Sequence, residues 1–219
     1  MVVGSTGVLG SNLALQLGSL GAKLTLTGRN ASKLAELSGL ISGSAAIRAD
    51  VRDSATAEKL IDGATSHAGR LDGVIIASGV VAFGELAVVD PVTIEELFLT
   101  NAIAPLWVIQ RALEPLTETS GFIAAISGVV AERALPNMAA YCGSKAALTS
   151  SLTAVAIEAK RRKVSVIDVR PPHTETGLAT RPLGGTAPRM PVGLDPAVVA
   201  RRIIEGIANG ETELPSTAF

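Results

Sequence analysis

Cysteine is nearly absent: Cys142 stands alone, so the chain can form no internal disulfide, which suits a reducing compartment. Charge of either sign is not in surplus. The formal net charge is −1, and the basic residues are scattered rather than gathered into the Lys/Arg stripe that a phosphate backbone requires, so no nucleic-acid partner is expected. No apolar run looks long enough to span a bilayer, and no charged, apolar and then small-residue leader opens the chain. A soluble cytoplasmic protein without membrane contact is the expectation. His67 and His173 have no Cys/His/Asp cluster around them, so no metal site is expected. Aromatic residues make up only 3%, and Ala, Gly, Val and Leu stand in their place, as closely packed helix-on-sheet layers require. What remains is a chain of 219 residues, 47% hydrophobic, enough for one large core and one domain over 1–219.

Val2-Val3 runs into Gly4-Ser5-Thr6-Gly7-Val8-Leu9-Gly10, after which Leu13, Leu17 and Leu20 recur at helical spacing up to Gly21. This reads as a short strand, a glycine turn and a helix. Further strands are expected at Lys23–Thr27, Ala46–Arg48, Gly73–Ala77, Phe122–Ile126 and Val164–Val169. Helices are expected at Ser32–Leu40, from a Ser54 cap to Ala68, from the Asp90-Pro91 start to Glu118 with a bend near Pro105, at Met138–Arg162, and at Pro196–Ala208. Strand and helix alternate throughout. The fold class is therefore α/β, a Rossmann-type doubly wound parallel sheet in a single domain. Only Pro171–Gly193, rich in Pro, Gly and Thr, reads as a long irregular segment of the kind that forms lids or binding loops.

Gly4, Gly7 and Gly10 lie where a chain binding a dinucleotide must turn tightly, approach a pyrophosphate and pack helix on strand. Turn and packing glycines of an alanine-rich protein would look the same. After the second strand stands Arg29, where NAD sites place an acid for the ribose hydroxyls. A guanidinium there grips a 2′-phosphate, so NADP(H) is favoured over NAD; the plainer alternative is an arginine solvated near a helix start. Tyr141 and Lys145 are four apart on a helix and share a face, so an ammonium stands near a phenol.

With these residues the chain resembles the short-chain dehydrogenase/reductase family, as a divergent member. The glycine turn, Asp50 in Ala49-Asp50-Val51, Asn101 in Thr100-Asn101-Ala102, the Tyr141/Lys145 pair and Thr176 after Arg170-Pro171-Pro172 follow the family's order. The resemblance implies that Tyr141 exchanges a proton with a carbonyl or hydroxyl oxygen while hydride moves. It implies that Lys145 binds the nicotinamide ribose and depresses the Tyr141 pKa, and that Asn101 positions a water in a proton relay. Gly4, Ser5, Thr6, Gly7, Leu9, Gly10, Arg29, Asp50, Val51, Ala77, Ser78, Gly79, Pro171, Thr174 and Thr176 would line the cofactor. Among these, Asp50 would touch the adenine ring and Thr176 the carboxamide. Family members usually assemble as homodimers or homotetramers through the helices at Val92–Glu118 and Met138–Arg162.

The likeness breaks at one catalytic position. The family's serine would fall at residue 128, which is Gly128, and Ser127 takes its place only if the strand end bulges or the intervening loop gains a residue. Ile76-Ala77-Ser78-Gly79 and Pro171-Pro172 depart from the family's Asn-Asn-Ala-Gly and Pro-Gly. The expected function is an NADP(H)-dependent oxidoreductase for a small carbonyl compound or alcohol. The alternative is a catalytically impaired NADP-binding protein serving as a redox sensor or partner subunit.

Overall fold

Apolar strands of four or five residues separated by capped helices leave little choice of layer arrangement, because each strand must be covered on both faces. The computed structural model describes residues 1–219. Its strands are β1 (Val2–Val3), β2 (Thr25–Gly28), β3 (Ala45–Arg48), β4 (Gly73–Ile76), β5 (Phe122–Ile126), β6 (Ser165–Val169) and β7 (Glu213–Leu214). They form one sheet in the order β3-β2-β1-β4-β5-β6-β7, every pairing parallel. The helices are α1 (Val8–Ser19), α2 (Ala31–Gly39), α3 (Ser54–Ala68), α4 (Pro91–Phe98), α5 (Ala104–Thr119), α6 (Ala139–Ala159) and α7 (Pro196–Ala208). Strand β7 is an addition to the expected set. Its two residues are too short to show a period, and pairing with β6 alone defines it.

The sheet is covered as the alternation demands. Val3, Val74, Ile76, Ile123, Ala125 and Val166 face α3, α5 and α6, which bring Leu60, Ile109 and Leu148 among others. Ile75, Ala124, Ile167 and Val169 point the opposite way, against Leu13 of α1 and Val199, Ala200 and Ile203 of α7. Val2 and Leu26 meet Leu34 and Leu37 of α2 on that same side. Side-chain caps start four helices: Asn30, Asp53, Asp90 and Asp195 each accept from a backbone N–H of the first turn. The cap of α3 is thus Asp53, one residue before the expected Ser54. A carboxylate accepts the Ala55 N–H at 3.0 Å, and Ser54 becomes the first helical residue.

Between α4 and α5 the helix does not simply bend at Pro105. Leu99–Ile103 widens into a π-turn, with the Ala104 N–H reaching back to the Leu99 carbonyl. Pro105 has no N–H to give the Asn101 carbonyl in an α-type bond, so the ladder must change register here. The three segments run as one helical rod, Pro91–Thr119, 29 residues long. This corrects the expectation about apolar length: by length and composition alone, this rod is long and apolar enough to cross a membrane, as core helices also can be. It lies instead across the sheet, with Val108, Ile109, Ala112 and Leu116 inside the core.

The chain reverses its winding between β1 and β4, the neighbours at the middle of the order. A crevice opens outside the carboxyl ends of strands at such a switch point. The glycine turn follows β1 and Ala77-Ser78-Gly79 follows β4, so both border it.

Candidate active site

The floor of the crevice is backbone against backbone. Gly4 has φ +77°, and a Cβ there would lie 2.7 Å from the Ser78 nitrogen. A Cβ on Gly10 would lie 2.3 Å from the Gly4 carbonyl oxygen. Both positions therefore exclude any side chain, whereas Gly7 would only touch the Gly4 oxygen at 3.4 Å. Ser5 is buried, and its N–H and hydroxyl both donate to the Thr27 carbonyl, at 2.9 and 3.0 Å. It anchors the turn to β2 and offers no polar side-chain atom to a ligand. The Thr6 side chain fills the space above Gly28, and Leu9 packs against the α7 side of the core. The Ser78 hydroxyl oxygen is buried with no protein partner.

At the β2–β3 end of the crevice, Arg29 is exposed and its carbonyl accepts Nε of Arg48 at 3.2 Å. Two guanidinium groups therefore stand at adjacent strand ends. The Asp50 carboxylate takes Arg52 through both oxygens, and Arg52 Nη1 also holds Glu96 of α4 at 2.9 Å. Hydrogen bonds from Arg52 hold the Asp50 carboxyl below its ordinary range, with Arg52 and Arg29 charges adding to the effect. Val51 packs on the core.

Lys145 and Asn101 converge on Gly79, and Tyr141 stands one turn before Lys145 on α6. A Cβ at Gly79 would lie 3.2 Å from Lys145 Nζ and 3.4 Å from Asn101 Oδ1. Asn101 is wholly buried: Oδ1 accepts the Val80 N–H, and Nδ2 donates to the Val80 carbonyl and to Ser144 Oγ at 3.0 Å. Ser144 donates in turn to the Tyr141 carbonyl at 2.8 Å. This serine ties the π-turn to α6 and was not singled out by sequence; its only signal is its place on the Tyr141–Lys145 face.

Lys145 is 4% exposed, and Nζ donates to the Ile126 carbonyl at 2.9 Å. Burial brings its ammonium down to about 8, opposed by the charge of Asp168. Tyr141 moves the other way. Burial, and then the neighbouring Cys142, push the phenol up to about 12. The expectation that Lys145 depresses Tyr141 is therefore not met in this arrangement, because desolvation outweighs an ammonium directed at a carbonyl.

Ser127 does not join them. It is 1% exposed, and its hydroxyl donates to Asp168 and lies 3.4 Å from the Val169 carbonyl. Its hydroxyl is buried and committed to Asp168, so in this arrangement Ser127 does not replace the missing serine. Gly128 follows with φ +107° and open space around its missing Cβ.

The irregular segment expected at Pro171–Gly193 has no helix and only one isolated bridge, Thr174 with Leu194. The Pro171 carbonyl accepts the Val129 N–H, Thr174 Oγ1 donates to the Pro172 carbonyl, and Thr176 Oγ1 accepts from Leu178 at 3.3 Å. Further on the segment folds back as a strap. Leu183 donates to Val81 at 2.8 Å, and Phe83 donates to Gly184 at 2.9 Å. Leu178, Ala179 and Ala187 share with Tyr141 one small apolar cluster around Val81, Phe83 and Met138. His173 faces Glu175 at 3.4 Å within the segment.

A family model described as short chain dehydrogenase matches residues 1–182. A short chain dehydrogenase/reductase, nsrJ, of Aspergillus novofumigatus is 32% identical over 183 residues, spanning 81% of this chain and 69% of the relative. Versicolorin reductase stcU of Emericella nidulans is 30% identical over the same shares. Among solved structures, an alcohol dehydrogenase from the archaeon Thermococcus sibiricus, complexed with 5-hydroxy-NADP, superposes with a TM-score of 0.85 at 20% identity, covering 100% of this chain and 96% of that one. A short-chain dehydrogenase from Streptomyces avermitilis gives 0.87 at 21%, covering 99% and 88%. At such identity these two speak for the fold.

Proposed function

This chain belongs to the short chain dehydrogenase family, and from that premise we propose that it is an NADP(H)-dependent oxidoreductase interconverting a small carbonyl compound and its alcohol. The observation that carries the reading is the convergence of Lys145 and Asn101 on Gly79, with Tyr141 one turn before Lys145 on α6, beside a crevice whose floor admits no side chains. The crevice suits a dinucleotide. Its backbone allows close approach at Gly4 and Gly10, the N-terminus of α1 faces it, and the Ser78 hydroxyl is buried without a partner. Ser78 and the α1 N-terminus would hold the pyrophosphate and ribose side, and Arg29 a 2′-phosphate. When bound, the cofactor supplies or accepts hydride. Tyr141 then gives its proton to the carbonyl oxygen, or takes one from the alcohol. A phenol pushed up to about 12 stays neutral and carries the proton that reduction consumes, although as a weaker acid than an ordinary tyrosine. Asn101 and Ser144 fix the start of α6, so the phenol and ammonium keep their relative positions.

Titration of the purified protein with NADPH and NADH tests the cofactor, and a ketone, aldehyde and quinone panel tests the chemistry. Tighter NADPH binding that is lost in Arg29→Ala is the expected result; equal affinities would overturn the phosphate assignment. A second reading, an NADP-binding redox sensor or partner subunit, is favoured by one observation: Gly128 stands at the serine position and Ser127 is committed to Asp168. Binding of NADPH without its oxidation across the panel would select it. We also propose a cytoplasmic homodimer or homotetramer, supported by the exposed Val92 of α4 and Ile157 of α6. Light scattering showing a monomer at micromolar concentration would refute the assembly.

A further inference from the structure

The end of β6 carries charge on a face that is otherwise apolar. Val166 faces the α6 side of the sheet, and Asp168, two residues on, points the same way while only 6% exposed. One Asp168 oxygen accepts the Ser127 hydroxyl, and the other accepts Arg170 Nη1 at 2.7 Å. Arg170 also gives Nε to Glu132 and Nη2 to Glu213 of β7, each at 2.7 Å. Three carboxylates thus share one guanidinium, an excess of two negative charges. A buried carboxylate is tolerated when it is paired and hydrogen-bonded, and surplus charge of one sign calls for another cation.

Lys145 and Asp168 are the two buried charged side chains of the molecule. Lys145 Nζ is fixed to the carbonyl of Ile126, the residue next to Ser127, so ammonium and carboxylate are bound to adjacent residues at the end of β5. We propose that Asp168 is a positioning residue: clamped by Ser127 and Arg170, it is the buried counter-charge that holds Lys145 as a cation directed at the end of β5. This assigns the Ser127 hydroxyl a purpose other than substrate contact. The other titratable and charged groups around the pair are Tyr141 and Cys142 on α6, Arg170 past β6, Glu132 after β5 and Glu213 on β7. Burial already favours the neutral amine of Lys145, and Asp168 opposes it. The effect on turnover rests on the oxidoreductase reading above; the electrostatic pairing does not.

Side-chain NMR of 13C/15N-labelled protein measures this directly, with the Lys145 signal identified by its loss in Lys145→Arg. Asp168→Asn is expected to lower the Lys145 titration midpoint by about one pH unit or more, the usual effect of removing a close opposite charge. Asp168→Glu is expected to restore it. In an active enzyme the alkaline limb of kcat moves with it while KM stays near the parent value. An unchanged midpoint in folded Asp168→Asn overturns the proposal. Should that variant not fold, the parent decides: the Asp168 carboxyl 13C shift must step at the pH where Lys145 titrates, and a flat trace refutes the pairing. A Lys145 shift as expected in a protein that never oxidises NADPH upholds the counter-charge and sinks the oxidoreductase reading alone.

Discussion

Replacing Gly128 sets two effects of known size against each other. The residue has φ +107° and ψ 163°, a region that side chains with a Cβ rarely enter, although a Cβ there would meet nothing within 4 Å. Space is available and conformation is not. Holding serine in this geometry costs about 1–3 kcal/mol. Rotation to negative φ would instead endanger the Gly128 N–H bond to the Val169 carbonyl, at 3.2 Å, worth about 0.5–1.5 kcal/mol. Gly128→Ser and Gly128→Ala should therefore lose the same stability, about 1–3 kcal/mol, read from urea unfolding midpoints at unchanged m. Only serine adds a donor, and a well-aimed donor to a developing alkoxide is worth on the order of 3 kcal/mol, roughly a hundredfold in kcat. Gly128→Ser is accordingly expected to outpace Gly128→Ala in NADPH-dependent reduction while matching it in stability. Both variants as stable as the parent would refute the strain argument. Serine and alanine variants with the same kcat would refute the idea that a hydroxyl is what this position lacks.

Tyr141→Phe is expected to cut kcat by at least about a hundredfold while NADPH still quenches or enhances fluorescence on binding as in the parent; retained turnover would remove the phenol from the chemistry. Gly10→Ala forces a Cβ to within 2.3 Å of the Gly4 oxygen, so the turn must open, with about 1–3 kcal/mol lost and NADPH affinity at least about tenfold weaker; calorimetry showing parental affinity would refute the close packing. Burial lowers Lys145 from 10.5 to about 8, so the unfolded chain binds the extra proton across that window and the native state is penalised most below pH 8. Lys145→Met should then gain up to about 3 kcal/mol at pH 7, less the lost bond to Ile126, with the gain fading between pH 8 and 10.5; a gain independent of pH would show that packing, not charge, was responsible. Arg170→Ala leaves the buried Asp168 without its cation and should cost about 3–5 kcal/mol, and a Tm near the parent's would contradict the network.

The parallel sheet was legible because strands of four or five apolar residues and capped helices both leave local signatures, as at Asp90-Pro91 and Asp195-Pro196. The π-turn at Asn101 was not, since Pro105 announces a broken ladder without saying whether the helix bends or widens. The glycine turn, Asn101, Tyr141 and Lys145 could be placed by their order along the chain, and the structure brings Asn101 and Lys145 to the crevice that the glycine turn borders, with Tyr141 one turn before Lys145 on α6. Ser5 and Asp50 also matched by position, and Ser127 stood one place from a match, yet their polar atoms are satisfied by Thr27, Arg52 and Asp168. Such partners come from strands and helices distant in sequence, and no spacing rule reports them. For the same reason the charge cluster at Arg170 was invisible: Glu132 and Glu213 are 38 and 43 residues away from it.

The strap packs into the same apolar cluster as Tyr141, so its opening bears on how fast a molecule reaches that end of the crevice. Two main-chain hydrogen bonds fasten it to Val81 and Phe83, and a Cβ at Gly185 would collide with the Phe83 carbonyl. Each bond is worth about 0.5–1.5 kcal/mol net, so lifting the strap costs about 1–3 kcal/mol and leaves it raised for somewhere between a fraction of a per cent and a tenth or so of the time. A molecule that enters only through the raised state meets a protein whose effective concentration is reduced by that fraction, and its association is slowed in proportion. The same two bonds slow departure, so residence beneath the strap lengthens as entry becomes rarer.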